Sequence, residues 1–334
     1  MIARELEQIM MINSTSGEEV EIARFIEDNF RFPGAVLDKH EVGDGSVNLF
    51  YKWGKPDIIF CTHLDTVPPY MLPRSENSRV YGRGACDAKG QIVTAWNVCK
   101  DLYNEGETNF GLLLLAGEET GSRGAKVANN LISDCRYVIV GEPTENKLIR
   151  AGKGIQLYHV QVRGLSCHSG YPQLGDNAIG RMCIFLDRLS ELKFPEDPVT
   201  GSTTYNVGQL SSDNAYNVLP DLVTFKIYFR TTFASHLIIE DSLRSISDEK
   251  TTIIKVREDK PFEYYYIEGF DSDTVAFGSD GPCLNNLGKC LLYGPGSIKV
   301  AHTDNEFIEI PDIEKAISDL KKIFKTLKTE LDYE

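Results

Sequence analysis

The chain has 334 residues, 42% of them hydrophobic, and a formal net charge of −14. This acidity argues against binding to nucleic acid or to an anionic membrane surface, and no apolar run approaches the roughly 20 residues of a membrane-spanning helix. The acidic N-terminal segment lacks the pattern of a signal peptide, and the eight cysteines form no C-x-x-C pair. We therefore expect a cytoplasmic protein of about two domains with reduced thiols.

The first half of the chain alternates predicted helices with short apolar runs. A helix is predicted after a capping sequence at 15–19, and two more over 89–103 and 124–131. Three continuous apolar runs lie at 57–61, 110–116 and 136–141. Such runs are typical of strands buried on both faces of a sheet. The pattern predicts an α/β fold with a mostly parallel central sheet flanked by helices.

The pattern changes after residue 154. Alternating strands are predicted over 155–163, 222–230 and 251–257, with helices over 177–192 and 235–246 between them. This β-α-β-β-α-β-like order predicts a smaller α+β domain inserted into the larger one. We assign residues 1–154 and 261–334, which close in an amphipathic helix over 313–331, to the larger domain, and residues 155–260 to the insertion.

Five side chains suited to binding metal lie in short motifs that end an apolar run or are flanked by glycine. They are His63, Asp87, Glu119, Glu142 and His302. Zinc prefers imidazole and carboxylate ligands, and a catalytic site keeps one coordination position open. Two histidines and three carboxylates are too many for one such ion but suit two ions that share a carboxylate. In open α/β sheets such residues collect at the carboxyl ends of strands.

Each motif taken alone has a plainer interpretation. His63 could be a structural histidine, Asp87 a helix cap, and Glu118 beside Glu119 a solvent-exposed acid at a strand end. Asp65 could orient a metal-bound imidazole or instead position the catalytic carboxylate. We favour Glu118 as a general base beside metal-bound water, because the five candidate ligands all fit one chemistry. Two other histidines, His40 and His236, lie in polar contexts and are predicted at the surface.

Six motifs carry a resemblance to a known family. They are H-L-D-T-V-P (63–68), Y-G-R-G-A-C-D-A-K-G (81–90), G-E-E-T-G (117–121), G-E-P-T (141–144), G-L-S-C-H-S (164–169) and A-H-T-D-N-E (301–306). In order and spacing the chain resembles the acetylornithine deacetylase / succinyl-diaminopimelate desuccinylase family of two-zinc metallopeptidases, which has aminoacylase and glutamate carboxypeptidase relatives. It looks most like the acetylornithine and acetylcitrulline deacetylases.

The resemblance implies a role for each candidate in the larger domain, which it makes the metal-binding catalytic domain. Asp87 would bridge two Zn²⁺ ions, for which Co²⁺ is a possible substitute. One ion would also be held by His63 and Glu142, and the other by Glu119 and His302. Glu118 would be the catalytic base and Asp65 a catalytic residue acting near the zinc. A cis peptide is implied between Asp87 and Ala88.

The inserted domain resembles the family's lid and dimerisation domain. His168 matches a histidine that reaches the partner subunit's site in dimeric relatives and stabilises the oxyanion. Asn217 and Arg230 match substrate-binding residues, and a guanidinium group suits recognition of a substrate carboxylate. The resemblance therefore implies a homodimer formed through this lid.

The function we expect is hydrolysis of a linear amide. The substrate would be a small N-acyl amino acid, such as an acetyl or succinyl derivative of ornithine or citrulline, which would place the enzyme in amino-acid biosynthesis, specifically arginine biosynthesis. Two alternatives stay open. The same two-metal site could serve a dipeptidase or carboxypeptidase, and the chain could be an inactive metal-binding homologue.

Overall fold

A computed structural model describes residues 1–30 and 32–333. Within this part of the chain it contains seven α-helices: α1 Ile2–Met10, α2 Val20–Asn29, α3 Lys89–Asn104, α4 Arg123–Leu131, α5 Ala178–Glu191, α6 Ile239–Ile246 and α7 Ile310–Tyr333. The strands of the first half are β1 Val36–Gly43, β2 Ser46–Trp53, β3 Ile58–His63, β4 Arg74–Glu76, β5 Arg79–Tyr81, β6 Phe110–Leu115, β7 Tyr137–Val140 and β8 Leu148–Gly152. The remaining strands are β9 Gly154–Arg163, β10 Thr204–Ser211, β11 Leu222–Thr231, β12 Thr251–Asp259, β13 Phe262–Glu263, β14 Ser272–Val275, β15 Lys289–Leu292 and β16 Phe307–Glu309.

The chain divides into two compact units. The first comprises Met1–Arg150, Tyr264–Asp273 and Ser279–Glu334, and the second comprises Ala151–Glu263 and Thr274–Gly278. None of the described helices is long and apolar enough to span a bilayer.

The first unit is built on a six-stranded sheet with the order β1-β2-β6-β3-β7-β15. The sheet is mixed, and three of its five strand pairs are parallel. Strands β6, β3, β7 and β15 pair in parallel, whereas β1 and β2 are joined antiparallel at one side. The three strands predicted from apolar runs are all buried along their whole length. Helices α3 and α7 pack together and both contact β3, and α3 also contacts β6.

The helices of the first unit partly differ from the predicted ones. Helix α1 was not predicted. Helix α2 begins at Val20 as expected, but no side chain caps it. The carboxylate of Glu19 instead accepts hydrogen bonds from the Ser46 hydroxyl group at 2.8 Å and from the Gly17 N–H at 3.0 Å. The acid in the capping sequence therefore secures a loop and not the start of the helix.

The second unit contains a four-stranded antiparallel sheet with the order β10-β11-β9-β12. Helices α5 and α6 contact each other, and α5 packs on β9 and β11. The chain order is β-α-β-β-α-β, but no strand was predicted at the position of β10, and α6 begins four residues later than expected. The prediction that His236 is at the surface is wrong. Its side chain is buried and its Nδ1 lies 2.8 Å from the Thr231 hydroxyl group.

Candidate metal centre

Three of the five candidate ligands lie at or just after the ends of neighbouring parallel strands of the first unit. His63 is the last residue of β3, Glu119 lies four residues after β6, and Glu142 lies two residues after β7. Strands β6, β3 and β7 are adjacent and parallel, so their carboxyl ends meet at one edge of the sheet. Asp87 and His302 reach this edge from the loop before α3 and the loop before β16.

The structure brings the five candidates together in two sets that share one residue. His63, Asp87 and Glu142 form one set, and Asp87, Glu119 and His302 form the other. Within each set, the ligand atoms all lie within 4.8 Å of one another. Imidazole nitrogen and carboxylate oxygen are donors that suit zinc and similar divalent ions. The donors present therefore fit two such cations.

Asp87 has the geometry of a bridging residue. Its Oδ1 lies 3.0 Å from His63 Nε2, and its Oδ2 lies 3.1 Å from His302 Nε2. The two oxygens thus face different histidines. In the second set His302 Nε2 also lies 2.9 Å from Glu119 Oε1. The peptide bond between Asp87 and Ala88 is cis, as the resemblance implied.

Asp65 is fully buried beside two of these groups. Its backbone carbonyl oxygen lies 2.9 Å from His63 Nδ1, so a proton on Nδ1 leaves the lone pair of Nε2 for a metal. Its carboxylate accepts hydrogen bonds from the backbone N–H groups of Glu118 at 3.0 Å and Glu119 at 3.1 Å, and from the Ser16 hydroxyl group at 2.8 Å. The side chain therefore holds the segment that carries the candidate base.

Glu118 belongs to neither ligand set. Burial raises the pKa of its carboxyl group well above the usual value, and the nearby carboxylate of Asp280 raises it further. A raised pKa suits a group that must accept a proton and later return it. Glu118 is thus next to a candidate ligand in sequence but has the electrostatics of a base.

The centre carries an excess of negative charge. Burial and the neighbouring Asp87 raise the pKa of Glu142 well above its usual value. Hydrogen bonds donated by the His302 ring to the carboxylates of Asp87 and Glu119 raise the pKa of His302 to about 10. Burial favours the neutral ring of His63, yet its hydrogen bonds to Asp65 and Asp87 raise its pKa well above the usual value. Such a site stabilises added positive charge, which divalent cations would supply.

Two buried carboxylates of this unit were missed by the sequence analysis. Asp280 is 2% exposed, and burial raises its pKa to about 6. Glu306 is fully buried and forms an ion pair with Arg83. A weak signal existed for Glu306, because it ends the same short motif as His302. Asp280 follows a strand and precedes glycine in the Gly-rich region, but nothing in its spacing separates it from an ordinary turn residue.

The remaining candidates lie in the second unit. His168 and Asn217 are exposed and belong to neighbouring loops, in which the Ser169 N–H donates to the Asn217 carbonyl oxygen at 3.0 Å. The Gly170 N–H donates to His168 Nδ1 at 3.1 Å, so a neutral His168 ring carries its proton on Nε2. Arg230 lies on β11, and its Nη1 atom is buried with no hydrogen-bond partner among the described residues.

Comparison with known proteins identifies the family of this chain. Residues 59–326 match the model of Peptidase family M20/M25/M40. A peptidase M20 domain-containing protein of Schizosaccharomyces pombe is 31% identical over 94% of this chain and 82% of the relative. A probable carboxypeptidase of Aspergillus clavatus is 31% identical over 92% of this chain and 84% of its own length. A tripeptidase structure from Staphylococcus aureus has a TM-score of 0.81 at 20% identity, and the match covers 97% of both chains.

Proposed function

Because the chain belongs to Peptidase family M20/M25/M40, whose enzymes are metal-dependent, we propose that it is a two-metal hydrolase that removes an acyl group from the α-nitrogen of an amino acid. The observation that carries the proposal is the pair of ligand sets that share Asp87. His63 and Glu142 would hold one zinc ion, and Glu119 and His302 the other. When bound, the metals would polarise the scissile carbonyl group and lower the pKa of water.

The chain's own residues would carry the proton. Glu118 would take a proton from the attacking water and return it to the nitrogen of the departing amino acid, as a general base and then a general acid. Asp65 would keep Glu118 in place through the N–H groups of residues 118 and 119. Glu118, which belongs to neither ligand set, would thus be held in position by the protein and not by a metal.

Three residues of the second unit would serve the substrate. The unpaired, buried Nη1 of Arg230 supports a role in binding the substrate carboxylate, because a buried donor without a partner is costly. The Nε2–H of His168 would donate to the oxyanion, in the site of the partner subunit if the chain dimerises through this unit. Asn217 would assist at the same place.

A carboxypeptidase or dipeptidase is the second candidate. The relative from Aspergillus clavatus is named a probable carboxypeptidase, and both reactions release an amino acid with a free carboxylate. The two candidates differ in the group on the acyl side of the bond, which is acetyl or succinyl in one case and an aminoacyl residue in the other.

A substrate panel separates the candidates. The zinc-loaded protein is tested with N-acetylornithine, N-acetylcitrulline, N-succinylornithine and two plain dipeptides. Turnover of the acylated amino acids alone supports the deacylase, and turnover of the dipeptides alone supports the peptidase and overturns the deacylase proposal. If no substrate in the panel is hydrolysed by protein that has both metals bound, the result would contradict both the deacylase and the peptidase activity.

The matched pair Glu118→Gln and Glu119→Gln tests the roles of the adjacent acids. We expect Glu118→Gln to keep both metals and lose about 10²–10⁴-fold in kcat. Glu119→Gln should lose metal from one set. Metal content measured by mass spectrometry checks both, and metal loss in Glu118→Gln would contradict its role as base.

A further inference from the structure

Glu306 connects two loops that carry candidate ligands. It lies four residues after His302 and is fully buried. One carboxylate oxygen, Oε1, accepts hydrogen bonds from the backbone N–H of Cys86 at 3.2 Å and from that of Asp87 at 3.3 Å. The other oxygen, Oε2, accepts one from Arg83 Nη1 at 2.5 Å. Both oxygens of Glu306 are thus bound to the loop that ends at Asp87.

Arg83, in the loop that ends at Asp87, also joins that loop to the segment after His302. Its side chain is buried, and its Nη1 also donates to the Thr303 carbonyl oxygen at 3.3 Å. In addition, the Gly82 N–H donates to the Glu306 carbonyl oxygen at 3.0 Å. The segments 82–87 and 302–306 are therefore joined by side chains and by the backbone at the same place.

An ion pair alone does not explain this arrangement. Pairing with Arg83 uses only Oε2, and replacing a buried ion pair with apolar groups is often neutral for stability. The second oxygen is aimed at the N–H of Asp87, the residue whose carboxylate faces both histidines. Residues that orient metal ligands typically change metal affinity or activity 10–100-fold when replaced.

We propose that Glu306 is a positioning residue for the metal centre, which fixes the backbone of Asp87 and the loop of His302 in one geometry. The inference rests on the proposed two-metal function. Glu306 does not touch substrate or metal itself. It acts through Asp87, so its removal changes the placement of the bridging carboxylate without removing any ligand.

The test measures zinc affinity without substrate. Glu306→Gln keeps the size of the side chain but sets an NH₂ group against Arg83 or against the loop N–H groups. Glu306→Asp keeps the charge, but the side chain is one methylene shorter and cannot reach both partners. Zinc dissociation constants are obtained for both variants by competition with a chromogenic chelator. Urea unfolding of the same samples shows whether each variant is folded.

The matched control is Glu330→Gln. Glu330 accepts hydrogen bonds from the hydroxyl groups of Tyr137 at 2.8 Å and Tyr265 at 2.9 Å, and it lies on α7 outside both ligand sets. We expect the zinc dissociation constant to rise about 10–100-fold in the Glu306 variants and to remain unchanged in the control.

The outcomes separate the inference about Glu306 from the proposed two-metal function. A dissociation constant within about twofold of wild type in a folded Glu306→Asp or Glu306→Gln protein overturns the inference alone, as does an equal loss in Glu330→Gln. If Glu306→Gln does not fold, Glu306→Asp decides. A wild-type protein that binds no zinc overturns the proposed function, and the inference with it.

Discussion

Replacement of Asp65 by Asn tests whether one buried carboxylate organises the candidate base. Wild-type Asp65 accepts two backbone N–H groups, those of Glu118 and Glu119, through different oxygens. Asn is nearly the same size but has one accepting oxygen and one donating NH₂ group. The substitution therefore sets a donor against one of the two N–H groups and removes the charge from the other hydrogen bond.

The expected loss of stability follows from these contacts. A hydrogen bond to a charged group contributes about 1.5–3 kcal/mol, and a buried donor left unpaired costs about 1–3 kcal/mol. Because the surroundings relax, we expect the free energy of unfolding to fall by about 2–4 kcal/mol, less than the sum of the two ranges. A displaced Glu118 should also lower kcat/KM about 10–100-fold.

The effect should depend on pH in one direction. Burial raises the pKa of Asp65, but hydrogen bonds from His63, Ser16 and the Glu118 N–H outweigh it and leave the pKa below its usual value. A lowered carboxyl pKa contributes stability above the unfolded-state value of about 3.9, and this contribution is lost as the pH falls through the folded-state value. The difference between wild type and Asp65→Asn should therefore narrow below pH of about 4.

Tryptophan fluorescence provides the assay. The only two tryptophans, Trp53 and Trp96, are both buried in the core of the first unit, so their emission reports unfolding of that unit in urea. The metal-free protein is used, to separate stability from metal binding. Asp44→Asn serves as control, because Asp44 is exposed and pairs only with Arg123 among the described residues. A loss below about 0.5 kcal/mol for Asp65→Asn, within the range of ordinary surface substitutions, would refute the reasoning.

Two further predictions concern the second unit. His168→Ala should lower kcat more than it raises KM, because stabilisation of an oxyanion acts in the transition state; steady-state kinetics check this, and a change in KM alone would indicate substrate binding instead. Burial lowers the pKa of His236 despite the opposing charge of Glu258. The free energy of unfolding therefore has its full value above the unfolded-state pKa of about 6.5 and falls as the pH drops below it, because the unfolded chain then binds the proton more readily. His236→Gln should therefore flatten the pH dependence of the protection factors of the β9 amides, measured by hydrogen exchange between pH 7.5 and 5.5. Protection factors with the same pH dependence as in the wild type would contradict this reasoning.

The centre of the fold could be predicted because its signals are local. The apolar runs that became β3, β6 and β7 are buried on both faces, and burial on both faces leaves a continuous apolar sequence. Parallel pairing then places the residues after these strands at one edge. This is why candidates as far apart in sequence as His63 and Glu142 could be expected to meet.

The rest of the fold lacked such signals. Strand β10, Thr204–Ser211, has no buried residue, so it shows no apolar pattern, and its place in the sheet comes from pairing with β11. The antiparallel β1–β2 hairpin is an exception, because its two-residue turn, Asp44-Gly45, has positive φ at both residues and is a local hairpin signal that the sequence analysis did not use. His236 is buried beside Gln156 of β9, which is distant in sequence and donates to the His236 carbonyl oxygen at 2.8 Å. Tertiary contacts decided the placement of β10 and the burial of His236.

The ligand loops are held by two carboxylates in the same way. Asp65, which lies in the motif of His63, accepts hydrogen bonds from the backbone N–H groups of Glu118 and Glu119. Glu306, which lies in the motif of His302, accepts hydrogen bonds from the backbone N–H groups of Cys86 and Asp87. In each case a residue of one ligand motif fixes the backbone of another. Sequence identifies the motifs but not these contacts, because an N–H acceptor has no characteristic spacing. Since the chain supplies both anchors, protein contacts help to fix the positions of the candidate ligands, which is the arrangement that favours tight and selective coordination.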